Sequence, residues 1–159
     1  MTASWRRRSA SPVSSAPDIP FRRLAPEAVI PQRAHPGDAG LDLVSVEHAD
    51  IAPGARCAVG TGLAVAVPAG MAGLVVPRSG RALRDGLTVA NAPGLIDSGY
   101  RGELRVILVN LGDSEVVIHP GDRVAQFVVV PVAMGKAVEA DRLPGTDGRG
   151  EGGFGSTGR

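Results

Sequence analysis

The chain has 159 residues, enough for one domain with a moderate core that oligomer contacts can complete. Its formal net charge is +1, so no global field favours nucleic acid or a membrane surface, and an anionic ligand must be met by local charges and backbone N–H groups. The 22 Gly, 13 Pro and 3% aromatics describe short strands and many turns around an aliphatic core, and the single cysteine, Cys57, excludes an intrachain disulfide or thiolate cluster and suits a reducing cytoplasm.

Residues 1–22 are rich in Ser, Pro, Ala and Arg, without a period, and read as a disordered extension. Arg6, Arg7 and Arg8 are followed by no apolar h-region, so this is not a secretory signal. An Arg- and Ser-rich, acid-poor opening shares its composition with organelle transit peptides, but a disordered extension accounts for it more simply. No apolar run reaches the ~20 residues of a membrane span.

From residue 23 to 143, short strand candidates alternate with turn signals, as in an all-β domain. They cover 41–46, 62–67, 73–76, 87–90, 103–110, 115–118 and 123–130. A spacing of about ten residues predicts a β sandwich or barrel. Leu63, Val65 and Val67 alternate with small residues, which suits a strand buried on both faces. Only 79–84 reads as a helical turn, with Ser79 or Gly80 at its start. Residues 144–159 are nearly half glycine and cannot form a core; they read as a flexible tail.

The stretch NAPGLIDSGYRGELRVILVN, Asn91 to Asn110, carries the most chemistry. A Gly- and Pro-rich turn holds Asp97 and Tyr100, and the strand 103–110 follows at once. A hairpin there would present one carboxylate and one aromatic ring to one small pocket. The carboxylate can take a proton from water, and the ring offers a flat wall to a sugar or base. In the tail, Arg149, Ser156 and Thr157 can donate to phosphate, the glycines let backbone N–H groups approach closely, and Phe154 can stack on a base. Near residue 79, free N–H groups at a helix start suit phosphate, and Arg78 adds a charged donor.

The pattern G-x-I-D-x-x-Y-x-G, from Gly94 to Gly102, resembles the third signature motif of the deoxyuridine triphosphate nucleotidohydrolases, the dUTPases. Four further matches lie in the family's order: DAGLDL from Asp38 to Leu43, PRSGRALRDG from Pro77 to Gly86, GDRVAQ from Gly121 to Gln126, and RGEGGFGSTG from Arg149 to Gly158. Arg81 stands where the family usually has an apolar residue, Arg84 where it usually has Lys, and Leu95 where a smaller or β-branched residue is frequent.

The resemblance implies a jelly-roll-like β sandwich with one short helix, assembled as a cytoplasmic homotrimer with shared active sites and a C-terminal tail closing over them. It implies hydrolysis of dUTP to dUMP and pyrophosphate, which keeps uracil out of DNA and supplies dUMP for dTMP synthesis. By the same resemblance, Asp97 is the general base. Asn91, Gly94 and Ile96 line the uracil, Tyr100 covers the deoxyribose, and Arg78, Ser79, Gly80 and Gln126 hold phosphate. Arg149, Ser156 and Thr157 clamp the γ-phosphate, Phe154 covers the uracil, Gly155 beside them also binds substrate, and Asp42 holds the water shell of a Mg²⁺ carried on the triphosphate.

A dCTP deaminase, or its bifunctional relative, is the nearest rival. Deamination needs a proton-shuttling Glu three residues before the Asn that closes the equivalent strand; here that position is Ile107, before Asn110. A catalytically idle nucleotide binder on the same scaffold is expected to lose Asp97 or the tail motif, and this chain keeps both. His35, His48 and His119 read as surface or turn residues.

Overall fold

The computed structural model describes residues 17–145. Its strands are β1 (Phe21–Arg23), β2 (Leu41–Val44), β3 (Ala49–Ile51), β4 (Arg56–Val65), β5 (Met71–Val76), β6 (Leu87–Val89), β7 (Gly94–Ile96), β8 (Glu103–Asn110), β9 (Val116–Ile118) and β10 (Arg123–Pro131). One helix, α1 (Ser79–Asp85), interrupts them. All pairings are antiparallel. They build one sheet in the order β1-β4-β8-β6, a second in the order β2-β10-β5-β7, and a two-stranded ribbon β3-β9, in a jelly-roll-like arrangement.

Alternation builds the core. On β8, Leu104, Val106 and Leu108 point inward, while Arg105 and Ile107 point out. They meet Leu43 of β2, Val59 and Val65 of β4, Val75 of β5 and Phe127 of β10 in one cluster. Phe127 is fully buried, with its ring edge-on to Phe21 at 5.8 Å. A Cβ at Gly73 would collide with that ring, so the absence of a side chain on β5 is what admits Phe127. Burying such a side chain contributes about 2–3 kcal/mol.

The strand expected at 62–67 begins earlier, at Arg56, and ends at Val65. Its C-terminal half is buried on both faces. A register shift against β8 falls within it, between Gly60 and Ala64. Gly62 adopts φ +65° there, and Thr61 donates its hydroxyl to the Leu104 carbonyl at 2.7 Å. The ordered core also starts sooner than composition indicated. Ile19 and Phe21, assigned to the disordered extension, pack against the core cluster.

The turn 91–102 does not form a hairpin with β8. β7 pairs with β5, in the other sheet, and β8 pairs with β4 and β6. The turn carrying Asp97 and Tyr100 is thus a crossing between the two sheets. β7 takes that place because its backbone partners are supplied by Gly73–Val75.

Candidate active site

Three of the sequence motifs converge at one end of the sheet β2-β10-β5. The ladders set Asp42 opposite Gln126 and Gln126 opposite Val76, so the three form a row across the strands. The chain leaves β5 after Val76 and reaches Arg78, which caps α1 without any side-chain capping bond. The cap falls on Arg78, not on Ser79 or Gly80, because Arg78 keeps extended backbone while its carbonyl accepts from the N–H groups of Arg81 and Ala82. Ser79 and Gly80 therefore lie in the first turn, where N–H groups have no intrahelical partner.

Asp42 organises this end. Its Oδ1 is 3.2 Å from Nε of Arg78 and accepts from Nε2 of Gln126 at 3.3 Å. Its Oδ2 accepts from Nη1 of Arg123 at 3.2 Å. The Asp42 side chain is only 12% exposed, so these contacts stand in a partly desolvated setting. A cavity of about 260 Å³ opens beside them, lined by Arg78, Ser79, Gly80, Arg84, Arg123 and Gln126. Such a lining of guanidinium, amide and hydroxyl groups is suited to phosphate oxygens.

Arg123 is a member of this cluster that the sequence reading did not single out. On a regular strand Arg123 and Gln126, three apart, would face opposite ways. A bulge in β10 between Arg123 and Ala125 turns both toward Asp42 and buries Val124 and Ala125 in succession.

The second group of residues stands elsewhere. Gly94 and Ile96 lie on β7, the terminal strand of its sheet, whose outer edge is unpaired among the described residues. Gly94 is buried against Val75 and the Asn91 side chain; a Cβ there would meet Asn91 Nδ2 at 3.3 Å. Asp97 follows β7, exposed, and the Tyr100 N–H donates to the Asp97 carbonyl at 3.0 Å, closing a β-turn. The Tyr100 hydroxyl donates to the Glu103 carbonyl at 2.9 Å, and its ring lies over Gly102, where a Cβ would meet the hydroxyl oxygen at 2.5 Å. Tyr100 is 42% exposed: it is a surface ring, not a core one.

The two groups do not meet within one chain. Asp97 follows Ile96, which pairs with Gly73; Asp42 lies in the row of Val76. Four residues along and three strands across, at ~3.3 Å and ~4.8 Å each, separate Asp42 from Asp97 by roughly 20 Å. Arg149, Phe154, Gly155, Ser156 and Thr157 lie outside the described residues.

Among the described residues, no group of three or more His, Cys, Asp or Glu is placed to hold a metal ion, and no helix is long and apolar enough to cross a membrane. The ring of His48 stacks on that of His119 at 5.4 Å on the rim of the β3–β9 ribbon, and His35 and His119 donate backbone N–H groups to Asp38 and Asp122 in turns. Ile107 points outward from β8, and Asn110 is wholly buried in backbone contacts, which leaves the deaminase reading without a proton shuttle.

The family model for dUTPase matches residues 26–158. The chain is 51% identical to the deoxyuridine 5'-triphosphate nucleotidohydrolase of Rhodococcus erythropolis, over 88% of this chain and 85% of that protein. It is 50% identical to that of Thermobifida fusca, over 93% and 83%. Among solved structures, a mutant dUTPase of Staphylococcus bacteriophage 80alpha with dUpNHpp superposes with a TM-score of 0.85 at 27% identity, covering 91% of this chain and 100% of that one. A mutant dUTPase of phage phi11 of S. aureus, described for the coordination of a structural Mg(II) ion, superposes at 0.76 with 26% identity, over 81% and 100%. With the matched segment spanning the β domain and the Asp42-organised end of its second sheet, the chain belongs to the dUTPase family.

Proposed function

We propose that the chain hydrolyses dUTP to dUMP and pyrophosphate in sites assembled between the subunits of a cytoplasmic homotrimer. The observation that carries this reading is the carboxylate-organised cavity formed by Arg78, Ser79, Gly80, Arg84, Arg123 and Gln126. Those groups receive the triphosphate. Its uridine end needs the Asp97–Tyr100 turn, which lies roughly 20 Å away in the same chain. A second copy brings the two together, and the tail of a copy supplies Arg149, Phe154, Gly155, Ser156 and Thr157.

At the uridine end, β7 is an edge strand, and its free N–H and C=O groups match the acceptor–donor–acceptor edge of uracil. Asn91 beside Gly94 adds an amide, and Ile96 backs the wall. Tyr100 lies against the deoxyribose and leaves no room for a 2′-hydroxyl, while a close pocket around C5 rejects the thymine methyl. Asp97 takes a proton from water, which attacks the α-phosphorus in line; the pyrophosphate leaves on the opposite side.

Both oxygens of Asp42 already accept from guanidinium and amide donors, so its carboxylate suits a metal that arrives hydrated on the phosphates. Bound there with Asp42 holding its water shell, Mg²⁺ would neutralise charge on the phosphate oxygens. Arg78, Arg84 and Arg123 share that load and fix the chain of phosphates in one geometry.

The test offers the purified protein dUTP, dTTP, dCTP and UTP separately with Mg²⁺ and resolves the products by ion exchange. Conversion of dUTP alone to the monophosphate and pyrophosphate is the expected result. A uracil nucleotide from dCTP would transfer the chain to the deaminase branch, and equal turnover of UTP would remove Tyr100 as the sugar wall.

A further inference from the structure

We infer that Arg101 is a positioning residue that sets the dUTP-over-UTP preference by holding Tyr100 in place. The inference rests on the reading of Tyr100 as the wall against the sugar. Arg101 is exposed, and among the described residues it makes no ion pair. Its guanidinium instead folds back on its own turn. Nη1 donates to the Ser98 carbonyl at 2.7 Å and to the Tyr100 carbonyl at 2.7 Å.

These two bonds finish a set. The Tyr100 N–H is held by the Asp97 carbonyl, and the Tyr100 hydroxyl by the Glu103 carbonyl. The two N–H groups of Nη1 tie the carbonyl of Tyr100 to that of Ser98 at the crest of the turn. Tyr100 is thereby fixed at three points: its amide, its carbonyl and its phenol. The backbone alone does not hold it so. Gly99 and Gly102 flank it without side chains, and a Cβ at Gly99 would touch nothing within 4 Å. A two-glycine frame of this kind gives up more conformational entropy to be ordered than a frame of residues with side chains.

Arg suits this place because the two N–H groups of Nη1 are fixed in the guanidinium plane and aimed at two carbonyls together, and charge-assisted bonds are roughly twice as strong as neutral ones. Both carbonyls are near solvent, so losing the guanidinium exposes them to water and strands no buried polar group. The fold therefore tolerates the loss, and the effect falls on the ring's position. A ring that drifts by a fraction of an ångström opens the space a 2′-hydroxyl needs. Selectivity falls before stability does.

The experiment compares kcat/KM for dUTP and for UTP in the full-length protein, Arg101→Ala and Arg101→Lys, with Tyr100→Ala as the control, and measures Tm for each. Arg101→Ala lowers the dUTP:UTP ratio on the order of tenfold, short of the ~10²-fold that a 1 Å misplacement can cost, with Tm unchanged. Arg101→Lys, which keeps the charge but not the planar, fixed N–H directions, recovers part of the ratio; should the alanine variant not fold, the lysine variant alone carries the comparison. An unchanged ratio, or equal losses for both nucleotides, overturns the role of Arg101. A Tyr100→Ala variant that keeps the ratio instead removes Tyr100 as the sugar wall, and the inference goes with it.

Discussion

Asp42 and Asp97 stand at opposite corners of the β2-β10-β5-β7 sheet, one beside the guanidinium groups of Arg78 and Arg123, the other on the turn beyond β7. One substrate cannot touch both in a single chain. Two variants, each dead by itself, are therefore expected to complement. Mixed oligomers of Arg78→Ala and Asp97→Asn regain a fraction of the wild-type rate, because some sites draw both intact residues from different chains. Refolding the two together and assaying dUTP turnover checks this. Mixed oligomers as inactive as the parents would place both residues in one chain's site.

Asp97→Asn keeps the shape of the turn, since the Tyr100 N–H bonds to the main-chain carbonyl of Asp97 and not to its carboxylate. Nucleotide affinity is expected to stay within a few-fold of wild type, while kcat drops by ~10²–10⁴, the usual worth of a general base. Calorimetric titration with a non-hydrolysable dUTP analogue and steady-state kinetics separate the two. Near-normal turnover would show that another group takes the proton.

Cutting the chain after Leu143 leaves every described strand whole; the last described main-chain tie is the Val132 N–H to the Gly70 carbonyl at 2.9 Å. The truncated protein is expected to keep its oligomeric state and Tm and to lose most of its turnover. An unaffected rate would show that Arg149, Ser156 and Thr157 do not touch the triphosphate.

Asn110 is fully buried and ties three main-chain groups: Nδ2 donates to Ile51 and Ser114 carbonyls at 2.8 Å each, and Oδ1 accepts from the Gly112 N–H at 2.9 Å. Asn110→Ala leaves buried polar groups without partners, a loss of about 3 kcal/mol, which lowers Tm by roughly 6–12 °C. A melt within a degree of wild type would mean that water takes over those bonds.

Glu47 supplies the pH dependence. The Arg105 guanidinium, then the Gly60 N–H, hold its carboxyl below the ordinary 4.5 against the opposing effect of burial. A depressed carboxyl stabilises the fold above its unfolded value, and that stability is lost as pH falls through the folded value. Both side chains are about two-fifths exposed, 42% and 39%, so solvent screening keeps the pair under about 1 kcal/mol. Glu47→Gln should melt a few degrees below wild type at neutral pH, and melts stepped toward pH 3 should bring the two curves together. A constant gap would exclude the carboxylate's charge as its source.

How much of this is legible in the sequence follows from period and length. β8 is legible to the residue, because Leu104, Val106 and Leu108 alternate with outward residues without interruption. α1 is legible within a residue at its end, 79–84 against Ser79–Asp85. β1, β3 and β7 are not: three residues such as FRR, ADI or GLI hold no period to detect. The partner of β7 is hidden for another reason. Nearness in sequence favours pairing with β8, whereas β7 joins Gly73–Val75 of β5, a long-range pairing that no local pattern records. At the phosphate end, Asp42, Arg78 and Gln126 stand in motifs that single each out, but Arg123 depends on a bulge, and a one-residue change of register leaves no mark in composition.

The salt bridges around Asp42 bear on what happens after bond cleavage. With its carboxylate seated between Arg78 and Arg123, the cavity holds a resident counter-ion. A polyphosphate bound there would displace part of that carboxylate's share of the guanidinium bonds, so it would gain the difference and not the full Coulomb attraction. On the proposed reaction, departing pyrophosphate would hand the Arg78 and Arg123 guanidinium groups back to Asp42, so the emptied site would not be left with unpaired cations.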